Sequence, residues 1–392
     1  IRDSKHFISL MREVYAARRF SPIFFAYEDR VPQLTENGAA LQQLLLAVPN
    51  HGLPEKEYRT KELSAAVASI LPFRKEYLEA RAGLPDARAR ALWEQVESYT
   101  TIPDESVLRA WLVEAGYSND DAPILREFAR FYPNLLQTKK NLNEAVLEVD
   151  ILLLRGFYRW LLDFKYVLRA HPFKVTPELS LAHVKFREQL RDDFQKADPN
   201  FAAYLQGLVP KNPEYARLQK GLQHYKRLRD EGEIDKINIK WNLQKGQKGD
   251  RIKLLSRRLV LEGYLAAELD TQRFNNDILE AVKLYQRKHQ LRVSSRIDGS
   301  TRGSINVPMA TRVKQIELGL QRWRESSINI TNPPYYFRVN IPQFELEVWA
   351  NDERIRVHRI VVGNRNEETS IERRQRGQFN HTPLLEKEVT TV

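Results

Sequence analysis

The stretch Leu142–Leu168, LNEAVLEVDILLLRGFYRWLLDFKYVL, decides the fold. Ala145, Val146, Val149, Leu152, Leu153, Gly156, Phe157, Trp160, Leu161 and Phe164 recur at helical spacing and cover most of the circumference. A helix that is apolar nearly all round is a buried one, so the stretch predicts the central helix of an α-helical domain. It is not a membrane span. The most apolar window, Ala145–Phe164, carries Glu148, Asp150, Arg155, Arg159 and Asp163, each costly inside a bilayer.

Helical signals continue on both sides. Phe7, Leu10, Met11, Val14 and Tyr15 form one apolar face, and Ser21-Pro22 predicts the end of that helix. After an extended break, Thr35 is placed to cap a helix running through Leu44-Leu45-Leu46, which Pro49-Asn50-His51-Gly52 ends. Residues 63–140 read as helical with breaks at Pro72, Pro85, Pro103 and Pro133. Helices also fit residues 179–197, 200–207 and 213–231. Residues 1–240 thus read as one α-helical domain.

Residues 241–308 read as a small separate unit. Ile252, Leu255, Leu259 and Leu261 give a short helix ended by Glu262-Gly263-Tyr264, and Ile278, Val282 and Tyr285 give a second, ended near His289. Pro308–Glu325 is an amphipathic helix through Val313, Ile316, Leu320 and Trp323. After Asn332-Pro333-Pro334 the period becomes two: Phe337, Val339 and Ile341, then Phe344, Leu346 and Val348, then Ile355, Val357, Ile360 and Val362. Asn351-Asp352 reads as a hairpin turn, residues 364–381 as a polar loop, and Thr382-Pro383 as the approach to a last short strand. The fold class is mostly α, followed by the opening strands of a β domain.

The chain has 392 residues and a formal charge of +11. The unit at 241–308 holds 13 Lys/Arg against 7 Asp/Glu. This excess favours anionic partners: nucleic acid, lipid headgroups or acidic polymers. There is no cysteine, which excludes a disulfide framework, a Cys-ligated metal and a cysteine nucleophile within these residues. No P-loop, dinucleotide fingerprint, zincin His pair or EF-hand pattern occurs. The first residue is Ile1 and no apolar signal core follows, so the sequence reads as a processed or excised product.

Three stretches carry a family resemblance. Leu254-Leu255 through Leu259, Gly263-Tyr264-Leu265, Phe274, Ala281-Val282, Tyr285-Gln286-Arg287-Lys288-His289, Leu291, Ile297-Asp298-Gly299 and Thr301 resemble the three-helix peptidoglycan-binding domain 1, departing from it at Tyr285 (usually Phe) and Asp298 (usually Gly). Asn306-Val307-Pro308, Arg312, Gln315–Leu318 and Arg322-Trp323-Arg324 look like the linker helix of the large YcbB-type L,D-transpeptidases. Val339–Trp349, Val361-Val362-Gly363, Thr382–Leu385 and Glu388-Val389-Thr390 look like the opening strands of a YkuD-type catalytic domain. Tyr15 with Phe20-Ser21-Pro22-Ile23-Phe24, His51-Gly52-Leu53-Pro54 with Tyr58, and Pro213-Glu214-Tyr215 are similar to that family's scaffold. Residues 63–140 match nothing placed.

The resemblance implies a helical scaffold (1–240), a peptidoglycan-binding module (241–308), a linker helix and loop (309–334) and the first part of a mainly-β catalytic domain (335–392). It implies peptidoglycan cross-linking in the periplasm or cell envelope of a Gram-negative bacterium, with no cofactor and no metal. The family's chemistry needs a thiolate in a Ser-His-Gly-Cys-x-Arg stretch, which attacks a diaminopimelate carbonyl of a stem peptide, releases D-alanine and passes the acyl group to an acceptor amine. No such stretch is present, and 58 residues from Tyr335 onward are too few for the whole domain, so a chain cut inside the catalytic domain, inactive as given, is expected. Its opening strands, with unpaired edges, are expected to be disordered or paired with another chain. The alternative is a non-catalytic peptidoglycan-binding scaffold. No catalytic residue is assigned. Arg251, Tyr264, Arg287, His289 and Arg296 are the candidate substrate contacts, the arginines through bidentate pairing with stem-peptide carboxylates. Against this stand a solvated basic face for the arginines, packing for Tyr264 and a helix-capping role for His289. Trp160, Trp323 and Trp349 are expected as core anchors, and His51 as a helix-end residue. The basic run Arg373-Arg374-Gln375-Arg376 and the lone His381 read as loop residues; neither a nucleic-acid partner nor a membrane span is expected.

Overall fold

The first helix, α1 (Arg2–Ala17), ends four residues before Ser21-Pro22. Phe20 N–H donates to the Tyr15 carbonyl at 2.7 Å while Arg19 sits in the left-handed region at φ 52°. This closure of a helix C-terminus acts before the proline does. The computed structural model describes residues 2–84, 87–96, 105–114, 116, 118, 122–166, 188–232, 236–237, 243–269, 271–294, 296–325, 334–351 and 353–361. They fall into two compact units, residues 1–326 and 327–392.

In the first unit the extended break is an antiparallel hairpin of β1 (Phe25–Glu28) and β2 (Val31–Leu34). Thr35 then caps α2 (Glu36–Leu46) by accepting from Gly38 N–H at 3.1 Å. A 3-10 turn, Val48–His51, and Gly52 at φ 67° close that helix. Next come α3 (Glu55–Tyr58), α4 (Thr60–Ala82), α5 (Ala87–Val96), α6 (Glu105–Glu114), α7 (Ala122–Phe164), α8 (residues 188–197), α9 (Phe201–Gly207) and α10 (Pro213–Glu231). The caps Asn200 and Asn212 accept from Ala203 and Glu214 N–H.

The central stretch is the second half of α7, and Val149, Leu153, Leu154, Phe157, Trp160 and Leu161 are fully buried there. Pro72 and Pro133 break nothing: they lie inside α4 and α7. A proline forfeits one hydrogen bond of its helix, and here buried neighbours hold the helix on both sides, Ala66 and Tyr77 around Pro72, Tyr132 and Leu135 around Pro133. Pro85 and Pro103 lie outside the described residues. Described residues of the unplaced stretch 63–140 share the scaffold core: Trp93, fully buried, donates to Tyr77 Oη at 3.3 Å and packs edge-on against Tyr132.

Two buried polar knots hold the body together. Asp150 accepts from Tyr15 Oη at 2.5 Å, Ile23 N–H at 2.9 Å and Phe24 N–H at 2.7 Å. Burial pushes its carboxyl pKa up, while those donors hold it back. His51 is more than a helix end: its Nδ1 lies 2.9 Å from Tyr215 Oη and its ring packs edge-on against Trp160 and Phe164.

The helix that the resemblance reads as a linker, α14 (Met309–Glu325), packs along α10. Val313 and Leu320 join the scaffold core, with Ile316 and Trp323 against it. Arg324 Nη1 donates to the His51 carbonyl at 2.7 Å. The amphipathic pattern of α14 was legible; the surface it covers was not.

The second unit is an antiparallel sheet of β5 (Tyr335–Asn340), β6 (Glu345–Ala350) and β7 (Glu353–Arg359), in that order. The expectation of disorder is corrected. Consecutive strands joined by short turns pair locally, and Asn351 (φ 47°) makes the expected turn. Alternation puts Tyr335, Phe337 and Val339 on one face, all exposed, Phe337 by 71%. On the other face Glu347, 1% exposed, accepts from Arg338 at 2.6 Å, Trp349 at 2.9 Å and Arg354 at 3.2 Å. Trp349 is partly buried, stacked on Tyr336 beneath the Arg338 guanidinium, rather than a core anchor. The loop and strand expected within 364–392, with His381 and Arg373–Arg376, lie outside the described residues.

Candidate functional site

Between α10 and α14 the chain forms a three-helix module: β3 (Leu243–Gln244), α11 (Asp250–Leu261), α12 (Asn276–Lys288), β4 (Arg296–Ile297) and α13 (Gly299–Ile305). Its boundaries are local chemistry. Gly249 (φ 124°) precedes α11 and Gly263 (φ 77°) follows it. Asn275 caps α12 by accepting from Ile278 N–H. Asp298 caps α13, accepting from both Thr301 N–H and Thr301 Oγ1 at 2.8 Å. Those bonds lower its pKa, the backbone one most. A glycine could not make that cap, so Asp298 has a structural role of its own.

Ile252, Leu255, Leu259, Phe274, Ile278, Val282, Tyr285 and Ile297 close a hydrophobic core separate from that of the scaffold. Gln286 is buried in it and fully used. Its amide nitrogen donates to Thr301 Oγ1 at 2.9 Å and to the Arg296 carbonyl at 3.1 Å, and its oxygen accepts from Ser294 N–H at 2.8 Å. Tyr285 and Gln286 of the first spacing thus tie α12 to α13, through Ser304 and Thr301.

The five candidate contacts fall into two groups. Arg251, in the first turn of α11, Arg287, in the last turn of α12, and Arg296, in β4, all have exposed side chains. Tyr264 and His289 are partly buried and belong together, with Tyr264 Oη 3.2 Å from His289 Nε2. The imidazole stacks on Tyr285 with ring centroids 3.9 Å apart. None of the three arginines hydrogen-bonds or ion-pairs with Tyr264 or His289 among the described residues.

His289 sits beside residues that the sequence did not assign to the site. Glu262 Oε2 is 3.8 Å from its Nε2. Arg258 Nε donates to Glu262 Oε1, and the side chains of this pair are 4% and 2% exposed. Arg258 Nη2 donates to the Val307 carbonyl at 2.9 Å. From the scaffold, Tyr225 Oη on α10 approaches Glu262 Oε2 at 3.4 Å, and Arg312 Nη2 on α14 donates to the Ser304 carbonyl at 3.0 Å and to its Oγ at 3.1 Å. Ser304 Oγ in turn lies 2.9 Å from Tyr285 Oη. One signal was available: Arg258 in α11 and Glu262 at its C-terminal cap stand four apart, beside the buried Leu255 and Leu259, where a charge needs a partner.

Burial, then Arg312 and Arg258, lower the His289 pKa to about 4. At neutral pH the ring is uncharged. It offers stacking and one hydrogen bond, not a cation for a carboxylate. Charge recognition on this module falls to the exposed arginines. Among the described residues no group of three His, Cys, Asp or Glu side chains is placed to hold a metal, and no helix is long and apolar enough to cross a membrane. Neither a protein-family model nor a curated protein matches the chain.

Proposed function

We propose that this chain acts on peptidoglycan, as the scaffold and wall-binding part of a large L,D-transpeptidase of the cell envelope. The observation that carries the reading is the module: the residues that resemble a peptidoglycan-binding domain enclose a core of their own and leave Arg251, Arg287 and Arg296 exposed. Stem peptides of the wall present carboxylates, which guanidinium groups bind in bidentate fashion. Holding wall polymer on the module raises its concentration at an acyl-transfer centre of the same protein. That transfer runs through a thiolate in the resembled family. None of the 392 residues is a cysteine, so no residue here is assigned the nucleophile.

The test is co-sedimentation with purified sacculi. The chain is expected in the pellet, released by salt, and the Arg251→Ala/Arg287→Ala/Arg296→Ala variant in the supernatant. A chain that stays in the supernatant, yet binds duplex DNA with salt sensitivity, refutes the reading. Wall binding by a natural full-length protein that fails to cross-link tetrapeptide stems favours a non-catalytic scaffold.

A further inference from the structure

The module's apolar core stays separate from that of the scaffold, and hydrogen bonds join the two. Across the junction run the Tyr225–Glu262 hydrogen bond and the paired Arg312–Ser304 hydrogen bonds, and within the module the Arg258–Val307 bond ties α11 to the approach to α14. Behind them, Glu262, Arg258, Tyr264, Tyr285 and His289 form one continuous cluster. We propose that this cluster is a releasable latch: it fixes the orientation of the module on the scaffold, and when it opens the module moves as a folded body.

Three physical points lead there. Contact surfaces between separately cored units of one chain permit relative motion by default unless they are large and apolar. A buried ion pair contributes little net stability, because desolvation offsets most of the attraction. Arg258 and Glu262, paired with each other within the module, therefore add little to the strength of the junction. A satisfied polar network, in contrast, specifies one geometry sharply. The junction is thus built for a defined orientation rather than for strength. The inference does not depend on what the module binds. If it binds wall polymer, the latched state presents Arg251, Arg287 and Arg296 in one direction, and the released state lets them search.

The absence of cysteine makes the test clean. Lys61→Cys on α4 and Ser300→Cys on α13, both at exposed positions, take two spin labels and nothing else in the chain does. Pulsed dipolar spectroscopy is expected to give one sharp distance in the otherwise unchanged chain. Tyr225→Phe/Arg312→Met removes the scaffold side of the latch and leaves the module interior intact; Glu262→Gln weakens it from the module side. Each is expected to replace the sharp distance with a broad distribution, at unchanged far-ultraviolet circular dichroism. A sharp, unshifted distance in both folded variants overturns the proposal. Broadening that appears only with loss of helical signal also overturns it, since the cluster would then hold the module's fold and not its orientation.

Discussion

Asp150→Ala removes the acceptor at the centre of the scaffold knot. Asp150 is fully buried, and its carboxylate serves three donors from segments more than 120 residues away: Tyr15 Oη, Ile23 N–H and Phe24 N–H. A buried donor left without a partner costs about 1–3 kcal/mol. Three such donors, partly rescued by water entering the small space left, give a loss of about 3–6 kcal/mol. That is a large share of the roughly 5–15 kcal/mol that stabilises a typical domain. Tyr15→Phe removes one donor and leaves the others served, for a loss of about 1–2 kcal/mol. Because both changes touch one bond, their effects in the double variant fall short of the sum. Urea unfolding followed by circular dichroism measures each loss, and hydrogen exchange reports the Ile23 and Phe24 amides directly. A loss under about 1 kcal/mol for Asp150→Ala, or unchanged protection of those two amides, refutes the assignment of Asp150 as the pin of Tyr15, Ile23 and Phe24.

Acid tests the buried His51 and the partly buried His289 together. His51 and His289 both have pKa values lowered to about 4, by burial first and then by neighbouring arginines, from an ordinary value of 6.5. Between pH 6.5 and 4 the unfolded chain takes up protons that the folded chain refuses, so stability is full above this window and falls as pH drops through it, by up to about 3 kcal/mol per site. Urea midpoints measured across the window check this, and a flat profile contradicts it. Gly156→Ala sets two effects against each other. Alanine favours a helix interior by about 1 kcal/mol, but its Cβ would overlap Leu45 Cδ1 and lie 3.0 Å from Cδ2 of that fully buried side chain. Overpacking of this kind costs about 1–3 kcal/mol, so the melting temperature is expected to fall; a rise would show that Leu45 yields. Glu347→Gln in the sheet is expected to free Arg338 from its place over Trp349, read as a change in indole fluorescence.

Features set within a few residues were legible in the sequence. The apolar circumference of residues 142–168 gave the buried axis, Thr35 gave a cap, and Glu262-Gly263-Tyr264 gave a helix end. Features set by distant partners were not. Pro72 and Pro133 obey a local rule that tertiary packing overrides. The amphipathic face of α14 announces burial without naming α10 as its cover. The alternation of β6 marks Glu347 as polar and outward, and only the flanking Arg338, Trp349 and Arg354 make it a buried centre. In the candidate site the three arginines are exposed, as charged side chains usually are. The spacing of Arg258 and Glu262 hints at their pairing, but not at its place beside Tyr264 and His289, because that neighbourhood is completed by Tyr225 and Arg312 from outside the module.

The most direct test of the central claim is a nuclear magnetic resonance titration of the whole chain with a soluble disaccharide–tetrapeptide fragment of peptidoglycan, observing arginine side-chain and backbone signals. The account predicts saturable shifts at Arg251, Arg287 or Arg296, weakened by salt, with the neutral His289 ring keeping its chemical shift at pH 7. An absence of shifts on the module at large ligand excess, or shifts confined to other parts of the chain, would contradict it.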